Sequence, residues 1–487
     1  MASRAESDTD SSDDSTGSAD LGRSELWALL RRMWPLFLGN MLEWYEFAVY
    51  GYLAGFLKAN YFGGSATAVW LGYGASFIMR PIGGILFGVA ADRCGRRPVT
   101  LISLLGMVFA TGMQGALPVA QGEGGSAWSL YALVLLRLLQ GVCVGGEEGA
   151  VISMLAEEAP LRYKNLATAC YFTVAFVAFM ITAGLVFLLE AILSPAQMMS
   201  WGWRLPFLLV LPFGLVAFWG RRKIVETEDF RQAIRDASIE PKPSRRVRFL
   251  AKFSVVRQYC GHVALGAAAA AGFSALFYTA SAWSIAHLKA KGLPNPNLLA
   301  VSQQAVLVVT SPFFGWLGDQ VGVATMMLAG AFLTMILGVP VFAIMDSDPT
   351  NWGTAFLCLG IGYGLPISIC ASASSLFCAE LFPTQGRSLG IGLTHNLAMS
   401  LVGGAAGYTA QKSLQFSELG PGIYISAWGA LSTLAISIGL AARAVGRAKL
   451  AHMRSDPYFN LVPGRTATDA GIVAGDIGAG IEETSEA

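Results

Sequence analysis

Between residues 34 and 445 the chain alternates long apolar stretches with short polar segments. Each stretch is close to the ~20 residues that a helix needs to cross the hydrocarbon core of a bilayer. Because lipid offers no hydrogen bonds, backbone N–H and C=O groups must pair within each stretch, which favours helices. The pattern predicts twelve membrane-spanning helices, over residues 34–57, 67–91, 99–120, 129–155, 166–193, 204–220, 258–286, 298–318, 325–345, 353–378, 388–410 and 423–445.

The polar segments predict the domain organisation of an all-α membrane protein. Residues 1–25 are predicted to be a disordered acidic, Ser-rich tail, and residues 448–487 a low-complexity cytoplasmic tail. Residues 26–220 and 258–447 are predicted to form two six-helix bundles, joined by a basic linker at 221–257. Lys and Arg concentrate in this linker and in the loops on the same side of the membrane, which predicts that both termini are cytoplasmic.

Composition supports a polytopic membrane protein. Only 13% of the 487 residues are charged and 54% are hydrophobic, whereas a soluble domain carries roughly a quarter charged residues. The net charge of +1 gives no basic field for nucleic acid. The seven cysteines form no C-x-x-C pair and there are four histidines, so the sequence predicts neither a metal site nor a cofactor, and no enzyme.

Two short motifs recur between the predicted bundles. The segment Gly88–Arg97 (GVAADRCGRR) follows the second predicted helix, and Gly315–Gly322 (GWLGDQVG) follows the eighth, 227 residues later. A pattern E-x-x-P-x-x-x-[KR] starts at Glu157 after the fourth helix and at Glu380 after the tenth, 223 residues apart. Two matches in register indicate duplicated halves, which is typical of secondary transporters with a substrate site between the halves.

The motif G-x-x-x-D-R-x-G-R-R at 88–97 and its degraded copy at 315–322 resemble the major facilitator superfamily. More narrowly, residues 39–51 (GNMLEWYEFAVYG) resemble the helix 1 signature of the metabolite:proton symporter family. That family includes bacterial proline/betaine, α-ketoglutarate, citrate and shikimate carriers. The resemblance implies two six-helix bundles and proton symport of a small polar metabolite by alternating access.

Other segments in the first half resemble the same family. Residues 77–84 resemble its helix 2 signature, residues 137–147 its helix 4 signature, and residues 201–207 its helix 6 entry. The second half matches more loosely. The family usually has Asp where this chain has Glu46, and an aromatic or similar residue where it has Glu148. The substrates of the family therefore apply less directly to this chain.

A few ionisable residues fall at bilayer depth, where a charge costs at least ~2.5–3.5 kcal/mol unless it faces a partner or a cavity. Glu43 and Glu46 share a face of helix 1, Arg80 lies in helix 2, and Arg137 and Glu148 lie on one face of helix 4. We expect Arg80 or Arg137 to receive a substrate carboxylate and Glu46 or Glu43 to carry the coupled proton. The structural alternative is a permanent ion pair between helices 1 and 4.

Two polar residues of helix 11, His395 and Asn396, are further candidates for binding proton or substrate. A lone membrane histidine also bonds backbone carbonyls, so this role stays open. The aromatic residues of helix 1, including Trp44 and Tyr50, could surround a quaternary ammonium. Ordinary packing is the alternative explanation.

The repeated motifs are predicted to form a conformational gate rather than a binding site. In the related family the counterpart of Asp92 links helix 2 to the start of helix 11. An anion at a helix N-terminus is stabilised by the helix dipole. The predicted gate residues are Gly88, Asp92, Arg93, Gly95, Arg96, Arg97, Glu157, Lys164, Asp319, Glu380 and Arg387.

The predicted function is proton-coupled symport of a zwitterionic osmolyte such as proline or betaine, or of a small carboxylate. An uncoupled facilitator or exchanger of the same fold is the alternative, and a membrane receptor or enzyme is a remote one. The predicted partners are a small-molecule substrate, the proton and the lipid bilayer. The predicted location is the plasma membrane, with several passes through it.

Overall fold

The computed structural model is predominantly helical, and its described part contains no strand. The structure describes residues 13–94, 96–121, 125–145, 148–222, 259–382 and 387–444. Within these ranges, only the helical backbone is given for residues 13–22, 88–89, 91–94, 96–97, 150 and 443–444, and side chains are described for all others.

Six helices of the first half follow the predicted stretches closely. Helix α1 turns at Leu53 and α4 is described in two segments. The bounds are α1 Trp34–Tyr52 continued by Ala54–Tyr61, α2 Ala66–Cys94, α3 Arg96–Ala116, α4 Ala127–Val144 and Glu148–Glu158, α5 Lys164–Ile192, and α6 Leu205–Arg221. A short helix, Pro195–Ser200, lies between α5 and α6 and begins with a capping box at Ser194.

Six helices of the second half complete the predicted set. Three of them contain a wider π-helical segment, at Thr279–Trp283, Leu357–Gly362 and Met399–Gly403. The bounds are α7 Cys260–Tyr278 with Ser284–Ala290, α8 Pro296–Val321, α9 Val323–Ser347, α10 Trp352–Phe356 with Gly364–Glu380, α11 Arg387–Ala398 with Gly404–Ser413, and α12 Gly420–Ala444. The predicted all-α, twelve-helix fold class is therefore confirmed.

Nine helical segments of the described residues are long and apolar enough to cross a membrane. Helices α1, α2 and α11 fall outside this set. These three helices carry Glu43, Glu46, Arg80, His395 and Asn396, whose polarity lowers the mean hydropathy of their segments. The least apolar spans are thus the ones that hold most of the predicted site.

The two halves meet along two main helix pairs. Helix α5 packs along α8, and α2 packs along α11. Helix α4 approaches its neighbours closely at three glycines, because a Cβ atom would collide with the Ser76 carbonyl at Gly141, with the Arg80 carbonyl at Gly145, and with Ser388 at Gly149. Small residues allow this contact of α4 with α2 and with α11.

The N-terminal segment differs from its prediction. A helix covers Asp13–Arg32, so residues 13–25, predicted to be a disordered tail, are helical. Leu26, Leu29 and Met33 are buried, and this apolar face packs beside the turn between α4 and α5. Burial of the face offsets the weak helix propensity of the Ser- and Asp-rich start.

Candidate functional site

A buried ion pair joins α1 to α2 near the boundary between the halves. An Nη atom of Arg80 donates to Glu43 Oε1 at 2.9 Å, and its other Nη contacts the sulfur of Met399 in α11 at 3.3 Å. The guanidinium lies 4.6 Å from the Phe47 ring centre and 5.1 Å from that of Phe77. Arg80 has no exposed surface. Its charge is therefore balanced by one carboxylate and two aromatic faces.

A second buried network lies within the first half. Glu46 Oε2 accepts hydrogen bonds from Thr111 at 2.7 Å and from the Gln140 amide at 3.1 Å. Arg137 donates to the Gln140 carbonyl at 2.9 Å and to Ser76 at 2.8 Å. Gln140 thus stands between Glu46 and Arg137. The acid and the guanidinium interact through an amide and form no direct salt bridge.

Neither network forms the ion pair between helices 1 and 4 that the sequence left open. The observed pair, Glu43–Arg80, links α1 to α2. Arg137 in α4 is held by the Tyr73 carbonyl at 3.0 Å and by Ser76 and Gln140. The two arginines therefore have different environments: one is enclosed by its own half, and the other touches α11.

Further polar contacts cross from α2 and α4 to α11. His395 Nδ1 lies 3.0 Å from Glu148 Oε1, and both side chains are buried. Asn396 donates to the Gly145 carbonyl at 3.1 Å, and Ser400 donates to the Phe77 carbonyl at 2.6 Å. Within the part of the chain that the structure describes, the second oxygen of Glu148 has no hydrogen-bond partner. These contacts must break when the halves separate at this level.

An aromatic cluster lies beside these contacts. Trp44 of α1 has ring-centre distances of 6.0 Å to Phe172, 5.9 Å to Phe277 and 6.3 Å to Tyr278. The Tyr278 ring in turn contacts Phe77 at 5.1 Å, edge to face. The cluster joins α1, α2 and α5 of the first half to α7 of the second, one ring away from Arg80. It provides π faces from both halves.

Further contacts join the halves on the predicted cytoplasmic side. The Asp319 carboxylate, at the end of α8, accepts from the backbone N–H groups of Asn165 at 2.7 Å and Leu166 at 3.0 Å. These are the free donors of the first turn of α5. Arg387 donates to Glu157 at 3.0 Å, so the two copies of the E-x-x-P motif pair with each other.

The opposite end of the molecule is also closed by polar contacts. Glu190, at the end of α5, accepts from Lys289 at 2.5 Å and from Asn297 at 2.7 Å. Lys289 lies at the end of α7 and Asn297 at the start of α8. Ties between the halves are thus present on both sides of the central residues.

The remaining predicted gate residues fall into two groups. Glu380 is buried at the end of α10 and Lys164 is half-buried at the start of α5. The first motif copy lies outside the residues whose side chains are described, so its predicted role stays a prediction. This group comprises Gly88, Asp92, Arg93, Gly95, Arg96 and Arg97.

Several residues that take part in these networks were not predicted from the sequence. Thr111 is a lone hydroxyl in an apolar helix, and it also bonds the Met107 carbonyl four residues back, the usual local partner of a helical threonine. Met399 and Ser76 look like ordinary packing residues. Only their contacts with residues on other helices identify them as members of the polar networks. Among the described residues no cluster of three or more potential metal ligands occurs.

Removing the Asp319 carboxylate is expected to destabilise the closed arrangement of α5 and α8. Asp319→Ala leaves two N–H donors of α5 without their partner, which costs about 1–2 kcal/mol. Thermal unfolding of the purified protein in detergent measures this loss. Asp348→Ala, at an exposed position, is the control and should unfold like the wild type. Equal stability of the two variants would contradict the role of Asp319.

Comparison with protein families identifies the architecture. Residues 36–408 match the family model of the Major Facilitator Superfamily. In fold, the chain resembles the proton:xylose symporter XylE bound to 6-bromo-6-deoxy-D-glucose, with a TM-score of 0.65, 16% identity, and coverage of 86% of this chain and 96% of that one. The partially occluded, inward-open structure of XylE from E. coli gives the same TM-score of 0.65, with 86% and 98% covered.

Sequence relatives narrow the comparison. The chain is 29% identical to the ectoine/proline transporter ProP of Corynebacterium glutamicum, over 82% of this chain and 81% of the relative. It is 30% identical to the α-ketoglutarate permease of Escherichia coli, over 78% of this chain and 87% of the relative. A putative proline/betaine transporter of Staphylococcus haemolyticus is 28% identical, over 75% and 78%.

These comparisons confirm the predictions of family, location and general function. The protein is a transporter of small molecules rather than an enzyme, and it passes several times through the plasma membrane. The relatives match the metabolite:proton symporter group that the helix 1 motif resembles. The chain therefore belongs to the Major Facilitator Superfamily.

Proposed function

We propose that this transporter carries a small zwitterionic solute bearing a carboxylate together with protons, by alternating access of its two halves. The environment of Arg80 is the observation on which the proposal rests. Arg80 is fully buried at the boundary between the halves, and one of its Nη atoms faces the thioether of Met399. A thioether is a weak acceptor, so a solute carboxylate would be a much stronger partner for this N–H.

The aromatic cluster supports the zwitterionic class. Tyr278 contacts the Phe77 ring over which Arg80 lies, and Trp44 and Phe277 both contact Tyr278. A cationic nitrogen is stabilised over aromatic faces, more strongly where water is excluded. A solute with carboxylate and ammonium groups a few ångströms apart can engage both. This agrees with relatives named for ectoine, proline and betaine. A small carboxylate, as in the α-ketoglutarate relative, would use Arg80 alone.

Glu46 is the proposed proton carrier. Its side chain has no exposed surface, and among the described residues one of its oxygens has no hydrogen-bond partner. Gln140 bridges it to Arg137, which donates to Ser76, one helical turn before Arg80 in α2. Glu43, the partner of Arg80, lies three residues before Glu46 on the same face of α1, so solute binding at Arg80 and protonation of Glu46 act on charges about one helical turn apart. Such a linkage is what symport requires.

The proposed moving units are the bundles 26–220 and 258–447, joined by the linker 221–257. The contact of Asp319 with the start of α5 and the Glu157–Arg387 pair would open on one side of the membrane. The contacts of Glu190 would open on the other side. Glu148 and His395 form a buried pair between the units, close to Asn396. We expect this pair to separate and re-form in each transport cycle.

Uptake into proteoliposomes tests the proposal. The solute panel is proline, betaine, ectoine and α-ketoglutarate, with choline as a cation that lacks the carboxylate. We expect a zwitterion to accumulate against its gradient under an inward proton gradient, and a protonophore to abolish accumulation. Uptake indifferent to pH gradient and protonophore would instead indicate the uncoupled facilitator or exchanger. Accumulation of α-ketoglutarate alone would restrict the substrate to small carboxylates.

A further inference from the structure

The N-terminal helix Asp13–Arg32 carries an outward stripe that the transport mechanism does not use. Its inner face contains Leu26 and Leu29, and Met33 follows directly after its last residue; the three side chains are 6%, 5% and 1% exposed. Arg32, on another side, pairs with Glu158 at the end of α4. These contacts hold the helix against the first half and determine which of its side chains face away from the protein.

The outward stripe contains two tryptophans and two arginines. Arg23, Trp27 and Arg31 follow one another at spacings of four residues and so share one face of the helix, and Trp34, the first residue of α1, extends the stripe just beyond the end of the helix. Trp27 is 71% exposed and Trp34 49% exposed, and both arginines are exposed. No acidic residue interrupts the stripe. Large aromatic side chains rarely face water in this way without a partner.

The position of the stripe indicates what covers it. Met33 alone separates the helix from α1, which enters the membrane at Trp34. The helix must therefore end at the bilayer surface, and its outward side chains lie at headgroup depth. Trp is enriched at this depth because its ring is apolar and its N–H is polar. Arginine there is attracted to anionic headgroups.

We propose that the stripe formed by Arg23, Trp27, Arg31 and Trp34 binds anionic phospholipid headgroups of the adjacent leaflet. The tryptophan rings enter the headgroup region and the two guanidinium groups contact lipid phosphates. Each basic residue near an anionic surface strengthens association by roughly fivefold, so the two together contribute on the order of 25-fold. The helix thereby becomes a surface anchor beside the start of α1.

Hydrogen–deuterium exchange of the full-length protein in nanodiscs tests this proposal without a transport assay. One set of discs contains phosphatidylcholine alone and the other a mixture with phosphatidylglycerol. We expect the backbone amides of residues 23–34 to exchange several-fold more slowly in the anionic discs. The double variant Arg23→Gln/Arg31→Gln should lose this difference. High salt should reduce it in the wild type, because surface charges are screened.

Two control variants separate lipid binding from general effects. Arg162→Gln removes a charge from an exposed position in the turn between α4 and α5, and it should keep the lipid dependence. Trp27→Ala should speed exchange in both lipid compositions. Equal protection in the two lipids, or full lipid dependence in the double variant, would overturn the proposal. Protection found only in discs with two copies of the protein would overturn it in favour of self-association.

Discussion

Glu46→Gln is expected to abolish proton-driven accumulation of the solute, with a loss of roughly 100-fold. The amide of the variant can still accept from Thr111 through its oxygen, as the carboxylate does at 2.7 Å. The fold and the hydrogen-bond network should therefore persist, while the group that takes up and releases the proton is gone. Solute exchange that needs no net proton movement should remain.

Two measurements distinguish this result from simple loss of protein. Solute counterflow in proteoliposomes without a pH gradient should continue in Glu46→Gln, whereas concentrative uptake under an inward proton gradient should stop. Glu46→Asp keeps an ionisable acid at the position and should retain most of the coupling. If Glu46→Gln accumulates solute as well as the wild type, the proton is carried elsewhere, and the Glu148–His395 pair becomes the first candidate.

Removal of Arg80 is expected to weaken solute binding by about 10- to 100-fold, the contribution of a charge-assisted hydrogen bond. Arg80→Met alone also breaks the 2.9 Å pair with Glu43. Breaking a buried pair from one side costs roughly 3–5 kcal/mol, because a charge stays buried without compensation. The single variant is therefore a poor test of binding, since the protein itself should be less stable.

The double variant Glu43→Gln/Arg80→Met provides the sharper test. It removes both charges and should restore much of the stability, because a neutral buried pair carries no uncompensated charge. Binding of a labelled solute to the purified variant should still be lost, while its thermal unfolding approaches that of the wild type. Arg80→Lys should bind weakly, because an ammonium lacks the planar fork of the guanidinium. Solute binding at wild-type affinity in the double variant would rule out Arg80 as the carboxylate site.

The helices and the residues at bilayer depth could be predicted because both depend on local composition. A stretch near 20 apolar residues can satisfy its backbone in lipid only as a helix. The predicted bounds agree with the observed ones to within a few residues in most helices, for example 166–193 against Lys164–Ile192. Ionisable residues such as Arg80 and Glu46 stood out because charge inside an apolar stretch is costly.

The pairing of those residues could not be predicted. From the sequence we considered an ion pair between helices 1 and 4. In the structure, Arg80 of α2 pairs with Glu43 of α1, and Glu46 is linked to Arg137 only through Gln140. A helical face restricts which residues point the same way. It does not determine which neighbouring helix that face meets, because this depends on the packing of distant segments.

The N-terminal region shows the same division. Its first residues have the composition of a disordered tail, yet the structure has a helix from Asp13 whose Leu26, Leu29 and Met33 are buried. The stabilising contact lies in the turn between α4 and α5, more than 100 residues away in the chain. The composition of the N-terminal segment contains no information about the distant surface against which it packs.

The sequence by itself determined that this protein is a bundle of twelve membrane helices, and which few polar residues lie inside it. Hydropathy, basic-residue placement and repeated motifs are local properties, and the bilayer acts on them one segment at a time. Only the tertiary structure decided that Arg80 faces α11 while Arg137 is enclosed by its own half, and that Glu148 meets His395. These partners lie up to 319 residues apart, and the packing of helices against one another brings them together.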